Sequence, residues 1–203
     1  MKKAVVLVLC GLAMALSVLA CGQGKEEEVV PLEATTTQGN RLTFPQGEIS
    51  WADAVVSFTP GNPAAGRSTD PKAALGKPDY QGTDDAQDEA TYVSIGHGGE
   101  LVLEFRDNVL VDGDGQDLAI FEIGPEVEPM LIAISQDGAD WSLEVGRVEG
   151  ATCTIDIAPY VEPGQRFRFV KLMDAAAGKS NDSEWPGADI NAVGAINTLP
   201  AVP

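Results

Sequence analysis

Three aspartates and two glycines lie close together in the stretch VDGDGQDLAIFE, residues 111–122. Carboxylates and the carbonyls of a tight turn are the oxygen ligands that Ca²⁺ accepts. An EF-hand loop starting at Asp112 would need glycine at the sixth position and an acid at the twelfth, but Asp117 and Ile123 stand there. The stretch therefore predicts either a looser Ca²⁺ site of Asp112, Asp114 and Asp117, or a solvated turn whose aspartates accept hydrogen bonds from their own backbone.

A second candidate site surrounds Trp185 in the polar segment SNDSEWPGAD. Ligand sites combine an aromatic surface with a few placed polar groups, and a pyranose offers an apolar face and hydroxyls that carboxylates bind. We therefore predict a glycan-binding site made of Trp185, Asp182, Glu184 and Asp189. The alternative is that Trp185 closes one end of the hydrophobic core.

A third acidic group, Glu122, Asp174 and Asp189, is spread along the chain. Glu122 lies on an apolar strand face, where a carboxylate needs a partner. Arg168 or Lys171 of the basic stretch RFRFVK is the expected ion-pair partner. Binding of a metal or a sugar is the alternative.

Catalytic patterns are weak in this sequence. His97 is the one histidine, and no G-x-S-x-G motif is present. An acid-rich chain still offers paired carboxylates, so a small glycosidase is retained as a less favoured alternative to a chain that is not an enzyme.

Composition excludes one class of partner and favours one fold class. The formal net charge of the 203 residues is −18, whereas nucleic-acid binding needs clustered Lys and Arg. The 22 glycines and 13 prolines favour short strands and turns over long helices.

The N-terminal segment MKKAVVLVLCGLAMALSVLAC has two lysines, an apolar run and a small residue before Cys21. It resembles a bacterial lipoprotein signal with VLAC as the lipobox. The resemblance implies a signal peptide over residues 1–20, lipidation of Cys21, and a location at the outer membrane or cell surface. Cys153 then remains as a thiol, and the alternation in ATCTIDI predicts that it is buried and inert.

The remaining chain divides into two parts that differ in composition and hydrophobic pattern. Residues 21–47 are rich in Glu, Thr, Gly and Gln and are interpreted as an acidic flexible tether. Residues 48–199 contain short apolar runs between turn signals and predict an all-β domain, a jelly-roll β-sandwich. The pair Asp137–Gly138 between two such runs predicts a hairpin.

Several motifs of this domain resemble a known fold. ALGKPD, ISQDGADW and DINAV are similar to segments of the galactose-binding-like fold, a jelly roll shared by discoidin domains. The order VSIGHGGELVLEF, DGDGQDLAIFEIG, ISQDGADW, PGADINAVGAI resembles a bacterial extracellular domain of cell-surface and sorting-signal proteins. The resemblance covers most of residues 50–198. Asn191 and Asp114 stand where that pattern usually has Asp and Pro.

These features together predict an envelope-anchored, non-catalytic module that binds a glycan or another cell-surface polymer, with structural Ca²⁺. The alternative is a structural or assembly lipoprotein that contacts another envelope protein. The glycan-binding module needs a sugar platform, with Trp185 pointing into solvent within a groove. The assembly lipoprotein needs an exposed apolar patch or an open strand edge, with Trp185 buried.

Overall fold

The computed structural model describes residues 29–83, 85–124, 128–175 and 184–201. Within these residues the helical segments are 3₁₀ turns of three or four residues, so the domain is all-β as expected. The strands are β1 Leu32–Thr35, β2 Arg41–Phe44, β3 Ala54–Thr59, β4 Val93–Ser94, β5 Glu100–Glu104, β6 Asn108–Val111, β7 Leu118–Glu122, β8 Met130–Ser135, β9 Leu143–Val148, β10 Cys153–Ile155, β11 Arg166–Phe167, β12 Phe169–Asp174, β13 Asp189–Ala195 and β14 Thr198–Pro200. Within them, no helix has the length and apolar character needed to cross a membrane.

Two antiparallel sheets enclose the main core. One has five strands in the order β3-β5-β12-β8-β9, and the other has four in the order β10-β7-β13-β4. A three-stranded sheet, β11-β6-β14, adds Leu110 and Phe167 to the same core. Side chains of both larger sheets meet in one buried cluster, among them Leu103, Ile132 and Ile120. The prediction of a β-sandwich is confirmed.

Strand β7 is buried along its whole length because both of its faces are covered. Leu118 and Ile120 face the core between the sheets. Ala119 and Phe121 belong to a second cluster on the opposite face of the four-stranded sheet. A strand that is buried on both faces needs apolar side chains at consecutive positions, which explains the sequence LAIF.

The hairpin β1–β2 covers that second face. Phe44 is fully buried, and its ring centroid lies 4.3 Å from that of Trp51. A Cβ on Gly194 would lie 2.7 Å from the Trp51 ring, so only glycine lets β13 approach the aromatic pair this closely. The interpretation of residues 21–47 as a flexible tether is therefore wrong for residues 32–44, which form a packed hairpin.

The predicted hairpin at Asp137–Gly138 joins β8 to β9. Gly138 has φ +73°, which favours glycine. The Asp137 carboxylate accepts hydrogen bonds from the backbone N–H groups of Asp140 and Ala139, and these bonds lower its pKa. The side chain thus closes the turn.

Candidate functional site

A cleft of about 560 Å³ lies between the β1–β2 hairpin and the outer face of the four-stranded sheet. Its lining comes from three parts of the chain, which are the hairpin, the sheet with Trp51, and the loop that follows Leu75. These residues are Leu32, Glu33, Ala34, Thr35, Thr36, Thr37, Trp51, Lys77, Pro78, Tyr80, Gln81, Gly82, Phe121, Ile123, Gly124 and Asn191. We call this space the hairpin cleft.

Asn191 ties the loop wall of the hairpin cleft to strand β13. Its Nδ2 donates to Asp79 Oδ1 at 2.9 Å and to the carbonyl of Thr91 at 2.6 Å. An aspartate at this position would have no N–H to donate and would repel Asp79. The amide of Asn191 therefore serves the local structure of the cleft.

The lining combines an aromatic surface with polar groups. The Tyr80 ring stands perpendicular to that of Tyr92, with 6.0 Å between centroids, so the wall holds it in one orientation. Two charged residues lie at the rim, and both have partners. Lys77 pairs with Glu48 at 3.6 Å, and Glu33 pairs with Arg41 at 2.9 Å. Such a surface suits a neutral molecule with an apolar face and hydroxyl groups.

The predicted site at Trp185 has a different geometry. The guanidinium of Arg67 lies 5.6 Å from the centroid of the half-buried Trp185 ring, and it pairs with Glu184 at 3.5 Å. The carboxylate of Asp189 accepts a hydrogen bond from the Ser94 hydroxyl. Asp182 lies outside the described residues. A sugar stacking on the ring face under Arg67 would have to displace the guanidinium, and the site stays a prediction.

Asp117 of the acidic loop is a structural residue. Its side chain is fully buried, and Oδ1 accepts from Gly113 N at 2.9 Å and from Asn197 Nδ2 at 2.7 Å. Oδ2 accepts from Ile157 N at 2.8 Å. The carboxylate therefore joins the loop, the segment after β10 and the turn before β14. The turn interpretation expected a solvated aspartate bonded to its own backbone, which describes the bond from Gly113 but not the burial or the two distant donors.

The acids nearest to one another are not the three expected from the sequence. Carboxylate oxygens of Asp112, Asp117 and Asp156 lie within 4.8 Å of each other, and Asp114 is not in this group. Pairing of β10 with β7 brings Asp156 to the loop, and the local sequence gives no signal of it. Among the described residues this is the one group of three acids with metal-ligand spacing.

We expect this loop to fold without a cation, because hydrogen bonds already occupy both oxygens of Asp117. In chelator, Asp112→Asn should leave the melting temperature of the chain unchanged, and millimolar Ca²⁺ should act no differently from Mg²⁺. A Ca²⁺-specific rise that is lost in Asp156→Asn and kept in Asp114→Asn would establish a cation site instead, with about 2.7 kcal/mol of stabilisation at a hundredfold excess over Kd.

Among the described residues, no Lys, Arg or His forms an ion pair with Glu122. Arg168 pairs with Glu104 at 2.8 Å, and Lys171 pairs with Glu100 at 3.7 Å. The expected ion pair with Arg168 or Lys171 is therefore wrong, because β5 lies beside β12 and takes both cations. Burial, more than any neighbour, raises the pKa of Glu122 to about 9.

The other two acids of that group have separate partners. Asp174 is buried and accepts backbone hydrogen bonds from Gly98 at 2.9 Å and from Ala188 at 3.1 Å. Burial raises the pKa of Asp189 to about 7, against the opposing hydrogen bond from Ser94. Asp174 thus fixes two loops, while Asp189 stays near Glu122.

Cys153 is expected to resist alkylation. Burial, followed by the charge of Glu122, raises the pKa of its thiol to about 12, so almost no thiolate exists at neutral pH. Iodoacetamide at pH 8 should label Cys153 slowly in the folded chain carrying Cys21→Ser and rapidly in urea. Equal rates in the two conditions would contradict this.

Neither a family model nor a curated protein matches this chain. Among solved structures, it is similar to the C-terminal domain of a chitobiase from Bacteroides fragilis, at 14% sequence identity and a TM-score of 0.41. The match covers 84% of this chain and 99% of that one. This similarity is too low to assign a function.

Proposed function

We propose that this chain is a lipid-anchored, non-catalytic module that binds a neutral glycan in the hairpin cleft. The cleft itself is the observation that supports the proposal. It offers about 560 Å³ of space beside the Tyr80 ring, with the amide of Gln81 and the hydroxyl groups of Thr35, Thr36 and Thr37 in its lining. A sugar residue matches this combination through its apolar ring face and its hydroxyls.

The charge of the chain favours a neutral ligand. A formal net charge of −18 repels anionic polymers at long range. Within the lining, the charges of Lys77 and Glu33 are paired with Glu48 and Arg41. Neither is left to recognise a charged substituent, so we expect hydroxyl groups to supply the specificity.

The same lining argues against glycoside hydrolysis. Hydrolysis uses two carboxyl groups, about 5–10 Å apart, that flank the scissile bond. Glu33 is the one acid among the lining residues, and it is exposed and paired with Arg41. The lining thus supports binding rather than catalysis.

The lipid anchor is a proposal based on the sequence, since the structure does not describe residues 1–28. Acylation of Cys21 would hold the domain at the outer membrane or cell surface. In the native host, Cys21→Ser is expected to abolish incorporation of a labelled fatty acid into the chain. Equal incorporation into the variant and the wild type would contradict a lipid anchor at this residue.

A second candidate function is assembly with another envelope protein through strand β3. This strand pairs only with β5 among the described strands, and its Val56 is 50% exposed. An open strand edge can accept a strand from a partner. A chain that binds no glycan but is cross-linked to an envelope protein through β3 would favour this function.

A glycan array tests the main proposal. We expect Tyr80→Ala to reduce affinity for the best neutral glycan by about 2- to 12-fold, since one aromatic contact contributes about 0.5–1.5 kcal/mol. Tyr160→Ala is the matched control, because Tyr160 is 45% exposed and lies outside the cleft. Equal losses in the two variants, or no binding of any glycan, would contradict the proposal.

A further inference from the structure

Three carboxylic acids meet at one end of the sandwich. Glu122 ends β7, Glu128 precedes β8, and Asp189 begins β13. The exposed fractions of Glu122 and Glu128 are 0% and 6%. Both Glu128 and Asp189 act on Glu122 electrostatically. We call these three residues the acid cluster.

The groups around Glu122 in the described part of the chain supply no positive charge. The Cys153 thiol faces it from β10, and Asp189 faces it from β13, where the Ser94 hydroxyl of β4 binds the aspartate. Among the described residues no ion pair reaches Glu122, and its own hydrogen-bond donor is the backbone N–H of Ala151, which binds Oε2. A buried carboxylate without a cation is costly when ionised.

Glu122 also has a buried oxygen without a donor. No N–H or hydroxyl of the described residues donates to Oε1. The carboxyl group of Glu128 lies in hydrogen-bonding position to the carboxyl group of Glu122. Two carboxyl groups in contact form a hydrogen bond only when a proton lies between them.

We propose that the acid cluster retains a proton at neutral pH, shared between Glu122 and Glu128, and that its loss at alkaline pH loosens this end of the sandwich. The cluster is thus a pH-sensitive element within the fold.

The direction of the pH dependence follows from linkage. Glu122 has a folded pKa of about 9, raised from 4.5, so the folded chain holds a proton that the unfolded chain has released. Stability is therefore highest below the unfolded value and falls as the pH rises towards the folded value. The pKa of Asp189 is raised from 3.8 to about 7, so this residue contributes to the pH dependence in the same direction over a lower pH range.

The acid cluster lies directly beside the hairpin cleft. Strand β7 supplies Phe121 to the cleft and Glu122 to the cluster. Strand β13 supplies Asn191 to the cleft and Asp189 to the cluster, and the Asp189 carbonyl accepts from Ile123 N at 2.9 Å. Proton loss is therefore expected to weaken ligand binding, a consequence that rests on the proposed function.

The test compares unfolding of the full chain with that of Glu122→Gln between pH 5 and pH 9, without a glycan. The isosteric amide carries a proton at every pH, so the variant should lose most of the pH dependence. Relative to the variant, the wild-type unfolding constant should rise by up to about tenfold per pH unit. Glu144→Gln, at an exposed glutamate of β9, should follow the wild type.

Parallel pH profiles of the wild type and Glu122→Gln would overturn the proposal. Infrared difference spectra of the wild type provide a readout that needs no stable variant, because a protonated carboxyl C=O band should persist at pH 7 and vanish at alkaline pH. Its absence at pH 7 would also overturn the proposal. So would Ca²⁺ removing the pH dependence at pH 8, because the cluster would then hold a metal ion. None of these outcomes depends on whether the cleft binds a glycan.

Discussion

Asp117→Ala is expected to destabilise the chain by about 3–5 kcal/mol, since each buried donor left without an acceptor costs about 1–3 kcal/mol. The substitution leaves the N–H groups of Gly113 and Ile157 without an acceptor, and it removes one of the three acceptors of the Asn197 amide. These groups belong to three segments, so we expect the loss of their hydrogen bonds to Asp117 to destabilise the whole domain, which unfolds cooperatively. Urea unfolding followed by far-UV circular dichroism measures the change.

Asp114→Ala is the matched control because Asp114 is exposed in the same loop. Its free energy of unfolding should stay within about 0.5 kcal/mol of the wild type, as is usual for surface substitutions. Asp117→Asn separates the structural role of Asp117 from cation binding, since it keeps one acceptor oxygen and the shape of the side chain but removes its charge. A loss in Asp117→Ala no larger than in Asp114→Ala would contradict the structural role.

Phe44→Ala is expected to cost about 3–5 kcal/mol, the usual range for deleting a buried aromatic ring. The ring is fully buried against Trp51 at 4.3 Å and near Phe121 at 6.4 Å. It is the main contact of the β1–β2 hairpin with the sheet. We therefore expect the hairpin to detach first and glycan affinity to fall with it, because β1 is one wall of the cleft.

Hydrogen exchange measures this detachment directly. Amides of the hairpin, such as the Thr36 N–H bonded to the carbonyl of Asn40, should exchange faster in Phe44→Ala, while those between β8 and β12 stay protected. Phe58→Ala is the control, since Phe58 is a partly buried phenylalanine of edge strand β3. Uniform loss of protection across both sheets would contradict a separable hairpin.

Local patterns predicted much of this fold. The Asp137–Gly138 turn and the apolar run LAIF depend on neighbours in sequence, so they were readable without the structure. The Asp-rich stretch was readable as a turn for the same reason, since Asp117 binds the N–H of Gly113 four residues away.

The β1–β2 hairpin could not be read in this way. LEAT and RLTF are four-residue strands with one fully buried aromatic side chain between them, inside a polar segment. The contact between the rings of Phe44 and Trp51 holds these strands against the sheet, and Gly194 leaves room for the two rings. Such a contact depends on distant residues and has no periodic signal.

The candidate sites were hidden for a related reason. The hairpin cleft takes its walls from segments far apart in the chain, and Tyr80 lies in a loop without a motif. Asp156 and Glu128 join their acidic neighbours only through strand pairing and loop placement. Sequence spacing drew attention to Asp114, which lies outside the acidic group, and to Arg168, which pairs with Glu104.

Nuclear magnetic resonance of the indole N–H groups would test the central claim most directly. The chain has three tryptophans, Trp51 in the hairpin cleft, Trp141 after the β8 turn, and Trp185 beside Arg67. Titration with the best neutral glycan of the array should shift the Trp51 indole signal and leave the other two unchanged. A shift of Trp185 alone would move the binding site to the Arg67 side, and no shift at saturating glycan would contradict binding in the cleft.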